Sequence, residues 1–180
     1  MTVGDPRAFE ALYAAHRRHV VAYCLRRAPR SDAYEAADET FLVAWRRFEE
    51  IPPGQERAWL YGVARRVLGN QYRAERRRRR LGSRLSQVRA EGSSTPEADV
   101  VRSEEQERLW RAYVRLRPED QEVLRLAGWE ELPHEQIGIV LGCDAGAARQ
   151  RLHRARARLA QEVQRAERRT FALSRRHHDD

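Results

Sequence analysis

Between Leu132 and Leu159 the sequence LPHEQIGIVLGCDAGAARQRLHRARARL carries two helical repeats separated only by Gly142, Cys143 and Asp144. So short a break cannot carry the chain away. The two helices are therefore predicted to fold back on each other, with Pro133 starting the first, Gly142 stopping it and Asp144 capping the second. In the second helix Ala148, Leu152, Ala155 and Leu159 share one face, which is predicted to pack on Ile137, Val140 and Leu141. The opposite face is Ala147, Gln150, Arg151, Arg154 and Arg158, flanked by Arg149 and His153. This is the outline of a helix-turn-helix, whose second helix enters a DNA major groove. Gln150, Arg151 and Arg154 are the natural base readers, because glutamine and arginine offer bidentate donor sets to purine edges. Arg149, Arg156 and Arg158 suit phosphates, and the small residues Ala145, Gly146 and Ala147 allow a close approach to the groove. A solvated basic amphipathic helix has the same pattern, so on this segment alone both readings stand.

The rest of the chain is also read as helix. Phe9, Leu12, Tyr13, Val20, Tyr23 and Cys24 recur at helical spacing up to the break APRSD, where Pro29 precedes a predicted Ser/Asp cap. A second helix from about Asp32 to Glu50 gathers Ala37, Phe41, Ala44, Trp45 and Phe48 in one stripe and ends at IPPG. Its outer face carries Glu35, Glu39, Leu42 and Arg46, with Asp38 on the border, so acidic side chains surround an exposed leucine. The third pattern, ERAWLYGVARRVLGNQYRAERRRRR, sets Leu60, Ala64, Val67, Leu68 and Gln71 on one side and Arg66, Gly69, Asn70, Arg73, Arg77 and Arg80 on the other. Five consecutive arginines, Arg76–Arg80, cannot all be buried, so the end of this helix must project from the body. From Gly82 to about Ser103 the chain turns polar and Gly/Ser/Pro-containing and is read as a linker. Beyond it, Leu109, Ala112, Tyr113 and Leu116 form a helical stripe, and Pro118 with Glu119 and Asp120 opens a further helix carrying Val123, Leu124, Leu126 and Ala127. The fold class is predicted as all-α, two small helical domains joined by a flexible linker, the C-terminal one a helix-turn-helix.

Charge separates the function classes. The chain has 35 basic residues against 27 acidic ones, a net +8, and every basic side chain other than histidine is arginine. Arginine forks match phosphates bidentately, although a codon bias toward arginine would leave the same composition. The cysteines Cys24 and Cys143 match no zinc or redox spacing, and both are expected as buried reduced thiols. His16, His19 and Cys24 lie too far along one helix to close a tetrahedral site, so no metal is expected. There is no G-x-S-x-G, phosphate-cradling glycine loop or paired carboxylate in an apolar setting, so no catalytic residue, cofactor or enzyme activity is expected. With no signal peptide and no apolar run long enough to span a bilayer, the expected location is the cytoplasm, without membrane insertion.

Two separate segments then resemble one family. FEALYAAHRRHVVAYCLRR, DETFLVAWRRF and RAWLYGVARRVLGNQYRAERRRR are similar, in order, to region 2 of the extracytoplasmic-function sigma factors, promoter-recognition subunits of bacterial RNA polymerase. LRPEDQEVLRLAGWEELPHEQIGIVLGCDAGAARQRLHRARARL is similar to region 4. The resemblance implies region 2 over 1–81, a linker over 82–103, region 4 over 104–165 and a basic tail over 166–180. It assigns core-polymerase binding at the β′ coiled coil to Asp38, Glu39, Leu42 and Arg46, and docking of region 4 to the β flap. It assigns the −10 element and the separated strand to Tyr61, Arg65, Arg66, Asn70, Arg73 and Arg77, with Tyr61 and Tyr72 as stacking side chains. It assigns the −35 element to Ala147, Arg149, Gln150, Arg151, His153 and Arg154, and the loop EEIPPGQE to a pocket for a flipped base. An anti-sigma factor is a partner of the kind the family brings. Arg66 stands where many members have asparagine, and GAARQRLHRAR replaces the commoner GTVKSRLHRAR, so the bases read are expected to differ.

The expected function is thus an alternative sigma factor that binds core RNA polymerase and directs initiation through −35 and −10 DNA elements. The competing readings are a free-standing helix-turn-helix transcription regulator acting without core polymerase, and a non-specific RNA-binding or architectural protein using the arginine run. The acidic face of the second helix has a purpose only in the first.

Overall fold

A computed structural model describes residues 5–82 and 103–176, and among these every regular element is helical. The helices are α1 (Pro6–Leu25), α2 (Arg30–Arg46), α3 (Glu56–Gly82), α4 (Glu104–Val114), α5 (Pro118–Gly128), α6 (His134–Leu141) and α7 (Ala145–Arg176), with a single 3-10 turn over Phe48–Glu50. The chain divides into two compact units, built mainly on α1–α3 and on α4–α7. The expected linker after Gly82 lies outside the described residues. No described helix is long and apolar enough to cross a membrane.

In the first unit α2 turns mostly small side chains inward, Phe41 being the large one. Ala33, Ala36, Ala37 and Ala44 are at most 1% exposed, which lets α1 and α3 approach closely. Thr40 is buried among them because its Oγ1 donates to the Ala36 carbonyl at 2.7 Å, a partner for a hydroxyl that water cannot reach. Aromatic rings fill the wider ends. Tyr23 stacks on Tyr61 at 4.6 Å, Tyr13 meets Phe41 edge-on at 4.7 Å, and Phe9 meets Trp45 edge-on at 4.9 Å. The expected Ser/Asp cap of α2 is not formed. Pro29 holds the cap position with an extended backbone, and Ser31 inside the first turn donates to Asp32 instead. The helix also ends earlier than expected, at Arg46, and Phe48–Glu50 tighten into the 3-10 turn before an extended Ile51 leads into Pro52 and Pro53.

The second unit opens with a capping box. Ser103 Oγ accepts from the Gln106 N–H at 3.3 Å, and Gln106 Oε1 accepts from the Ser103 N–H at 3.1 Å. Ala112, Tyr113, Leu116, Val123, Leu126, Ile137, Ala148, Leu152 and Ala155 form its core. Leu109, expected in that core, is instead 49% exposed, and Trp110 takes the inner position by stacking on Tyr113 at 5.4 Å. The larger ring covers more of Tyr113 than a leucine would, while Ala112, Tyr113 and Leu116 keep their expected buried places. Pro118 starts α5 as expected, with Glu119 and Asp120 in its first turn and Arg117 at the cap position. The sequence over 166–180 was expected as a separate tail, yet α7 continues through this point without a break to Arg176.

Candidate nucleic-acid interface

The helix-turn-helix is built around two glycines. Gly142 adopts φ +68, the left-handed conformation that ends α6, and the Cys143 N–H then donates to the Gly138 carbonyl at 2.9 Å. A Cβ on Gly138 would lie 2.5 Å from the Cys143 carbonyl oxygen and 3.3 Å from the Asp144 carbonyl carbon. Sequence reasoning missed Gly138, because a glycine inside a helical repeat reads only as a weak helix former. Gly138→Ala is expected to push the turn away from α6 and cost roughly 1–3 kcal/mol, as overpacking does. A thermal melt showing one transition moved down by several degrees, with the other unit's transition unchanged, is the expected readout. Asp144 caps α7 as expected, its Oδ1 accepting from the Ala147 N–H at 2.7 Å.

The comb emerges from that turn. Arg149, Gln150, Arg151, His153 and Arg154 are all exposed, while Ala148, Leu152 and Ala155 are buried on the other side. Ala147 is half-buried at the cap, and Arg154 Nε donates to the Gln150 carbonyl at 3.4 Å. Arg158 behaves differently from the phosphate-facing side chain expected of it. Its Nη1 donates to both carboxylate oxygens of the buried Asp120, at 2.7 and 2.8 Å, because α5 packs beside α7 at this level.

In the first unit, Asp38, Glu39, Leu42 and Arg46 are all exposed along the outer face of α2, with Leu42 at 56%. Along α3, Arg65, Arg66, Asn70, Arg73 and Arg77 are exposed on one side. Arg73 Nη2 donates to Asn70 Oδ1 at 2.6 Å, and Arg66 Nε to the Gly62 carbonyl at 3.1 Å, so both guanidinium groups are partly pre-oriented. Tyr61 does not join them. It is 1% exposed and stacked on Tyr23, because its position falls on the buried side of α3 with Leu60 and Ala64. The exposed ring is Tyr72, at 65%, with the Arg76 guanidinium 5.9 Å from its centroid. Arg76, Arg77, Arg78 and Arg79 are exposed at the end of α3, and Glu75 pairs with Arg78 and Arg79.

Between α2 and α3 the loop runs through the Pro52–Gln55 turn, with Gln55 N–H donating to the Pro52 carbonyl at 3.0 Å. Glu56 accepts from the Gly54 N–H at 2.8 Å, and backbone N–H donors hold its carboxyl below the usual carboxylate range. His16 of α1 lies in the field of Glu56 and Arg57. Burial pushes its imidazole below the ordinary histidine value, with Glu56 opposing and His19 and Arg57 adding to the shift. His16 Nδ1, His19 Nδ1 and Gln55 Oε1 are buried without a hydrogen-bond partner among the described residues.

Residues 12–78 match the model of Sigma-70 region 2, and residues 106–159 match that of Sigma-70 region 4. The chain is 32% identical over 148 residues to the ECF RNA polymerase sigma factor SigL of Mycobacterium tuberculosis, covering 79% of this chain and 81% of the relative. It is 28% identical over 177 residues to the ECF RNA polymerase sigma-E factor of Haemophilus influenzae, covering 89% and 90%. Among solved structures, the sigma factor RpoE in complex with the anti-sigma factor NepR from Bartonella quintana shares the fold, with a TM-score of 0.63 at 21% identity over 88% of this chain and 98% of that one. Regions 2 and 4 in this order define a sigma factor of the Sigma-70 class. The chain belongs to the extracytoplasmic-function (ECF) family of that class, and it is an alternative sigma factor that directs transcription initiation.

Proposed function

We propose that the two units divide the work of promoter recognition, α2 holding core RNA polymerase, α3 the −10 element and the opened strand, and α7 the −35 element. The observation that supports this division is the segregation of exposed charge. Acidic side chains surround the exposed Leu42 on α2, whereas the exposed faces of α3 and of the start of α7 are arginine-rich. An apolar residue ringed by carboxylates suits a basic protein surface and repels DNA, so Asp38, Glu39, Leu42 and Arg46 dock on the β′ coiled coil. Region 4 docks on the β flap. Arg65, Arg66, Asn70, Arg73 and Arg77 follow the strand backbone and base edges, with Tyr72 rather than Tyr61 as the stacking ring. Ala147, Arg149, Gln150, Arg151, His153 and Arg154 line the −35 contact. Each module is weak by itself, and carrying both on one chain raises their joint affinity.

The protein works by binding, without a cofactor, catalytic residue or resident metal, and in the cytoplasm where the promoter is. A fold shared with a sigma factor in complex with an anti-sigma factor supports a partner of that kind here, one that covers the DNA-facing surfaces until it is released. The test is reconstitution. Core polymerase mixed with this chain is expected to start transcripts at discrete genomic sites that share two short boxes, and core polymerase alone to start none of them. Absence of such starts on every genomic fragment would favour the free-standing regulator, which needs no polymerase.

A further inference from the structure

We propose that Asp120 withholds Arg158 from DNA and so sets where the DNA-reading face of α7 ends. The inference rests on the reading of α7 as the duplex-binding helix. By position Arg158 would extend the comb, since it follows Arg151 and Arg154 at helical spacing on the same stripe. Instead it is tied across the unit to Asp120, in the first turn of α5. The asymmetry of burial shows which partner needs the other. The Asp120 side chain is 9% exposed and the Arg158 side chain 44%, so the carboxylate is committed to the interior while the guanidinium stays within reach of solvent. A buried carboxylate deprived of its cation is strongly disfavoured, and a half-exposed arginine deprived of its anion is not. The pair therefore acts as a restraint on Arg158, and the free cations of the comb stop at Arg154 and Arg156.

The consequence is for specificity. A phosphate contact adds affinity for every sequence alike, and surplus non-specific affinity keeps a promoter-reading protein on the wrong DNA. Tying off one arginine at the end of the stripe removes one such contact and leaves the base readers Gln150, Arg151 and Arg154 in place. Asp120 is in this sense a positioning residue that touches no DNA.

The test is a salt titration of the full chain on a labelled random-sequence duplex, read by fluorescence anisotropy. Arg149→Ala is expected to flatten the plot of log affinity against log salt by about 0.9, the contribution of one phosphate contact. Asp120→Asn, with Arg158 released, is expected to steepen it by about 0.9, an additional loss of roughly 3.5-fold between about 50 and 200 mM salt. The neutral pair Asp120→Asn with Arg158→Gln is expected to return to the wild-type slope, a reversal that a merely structural role would not produce. If Asp120→Asn does not fold, the neutral pair decides alone: a wild-type slope supports the proposal, and a slope flattened as much as that of Arg149→Ala overturns it, because Arg158 would then already hold DNA. An unchanged slope in folded Asp120→Asn overturns it too. A wild-type chain whose binding is indifferent to Arg151→Ala with Arg154→Ala would instead remove the reading of α7 on which the proposal rests.

Discussion

Glu39→Arg is expected to abolish retention of core RNA polymerase while leaving the chain folded. Glu39 is exposed, and the residues of α2 that hold the first unit together, Ala36, Ala37, Thr40 and Phe41, lie on the other side of the helix. The far-ultraviolet spectrum and melting temperature are therefore expected to match wild type. On the proposed docking of α2 the change at the interface is expected to be large, because it would replace attraction by repulsion at a basic partner surface, next to a leucine that docking would desolvate. Like-charge juxtaposition at a protein interface costs several kcal/mol, and every 1.4 kcal/mol is about tenfold in affinity. A pull-down at equal concentrations is thus expected to lose polymerase by about a hundredfold. Leu42→Ala is expected to lose less, about the 1–3 kcal/mol of a buried leucine. Full retention by Glu39→Arg would move the polymerase contact off α2. It would also remove the distinction between a sigma factor and a free-standing regulator at this surface.

The second large effect is expected from the paired change Arg151→Ala with Arg154→Ala, which should leave polymerase binding intact and destroy recognition of the −35 element. Both side chains are exposed and neither carries a core contact, so folding is again unaffected. A bidentate contact from arginine to guanine is worth about 1–3 kcal/mol of discrimination, so the pair together is expected to weaken specific binding by roughly 30-fold to 20,000-fold. The readout is transcription from a promoter that needs both boxes, compared with wild type. A double variant that initiates at the wild-type level would mean that the exposed comb is a solvated face. Arg149→Ala should act more gently, lowering affinity for all sequences alike, as a phosphate contact does.

Much of the fold was legible from residues that act locally. Gly142 stopping α6, Asp144 capping α7 and Pro118 opening α5 all appear as read, because a cap or a left-handed glycine acts within four residues of itself. The all-α class followed from apolar spacing in the same way. The departures arise where two nearby or similar side chains compete for one place and the packing decides between them. Pro29 rather than Ser31 holds the cap of α2, and Trp110 rather than Leu109 packs inward from α4, because Tyr113 offers the indole a stacking face. Tyr61 and Tyr72 look alike in sequence, yet one lies in the core against Tyr23 and the other is exposed beside Arg76.

The candidate surfaces divide along the same line. That α2 bears an acidic outer face and α7 an arginine comb was determined by the sequence alone, since periodicity fixes which side chains share a face once the helix forms. Which arginine of the comb is free was decided only by the tertiary structure. Arg151, Arg154 and Arg158 occupy one stripe, and nothing within α7 distinguishes them. The first unit to meet Arg158 across space is the buried carboxylate of Asp120, 38 residues earlier in the chain. Gly138 belongs with it: a glycine unremarkable in its own helix becomes indispensable because the backbone of Cys143 returns to within 2.5 Å of where its Cβ would be. Short-range rules of capping and periodicity are written into neighbouring residues, whereas pairing and close approach depend on which elements meet when the core closes.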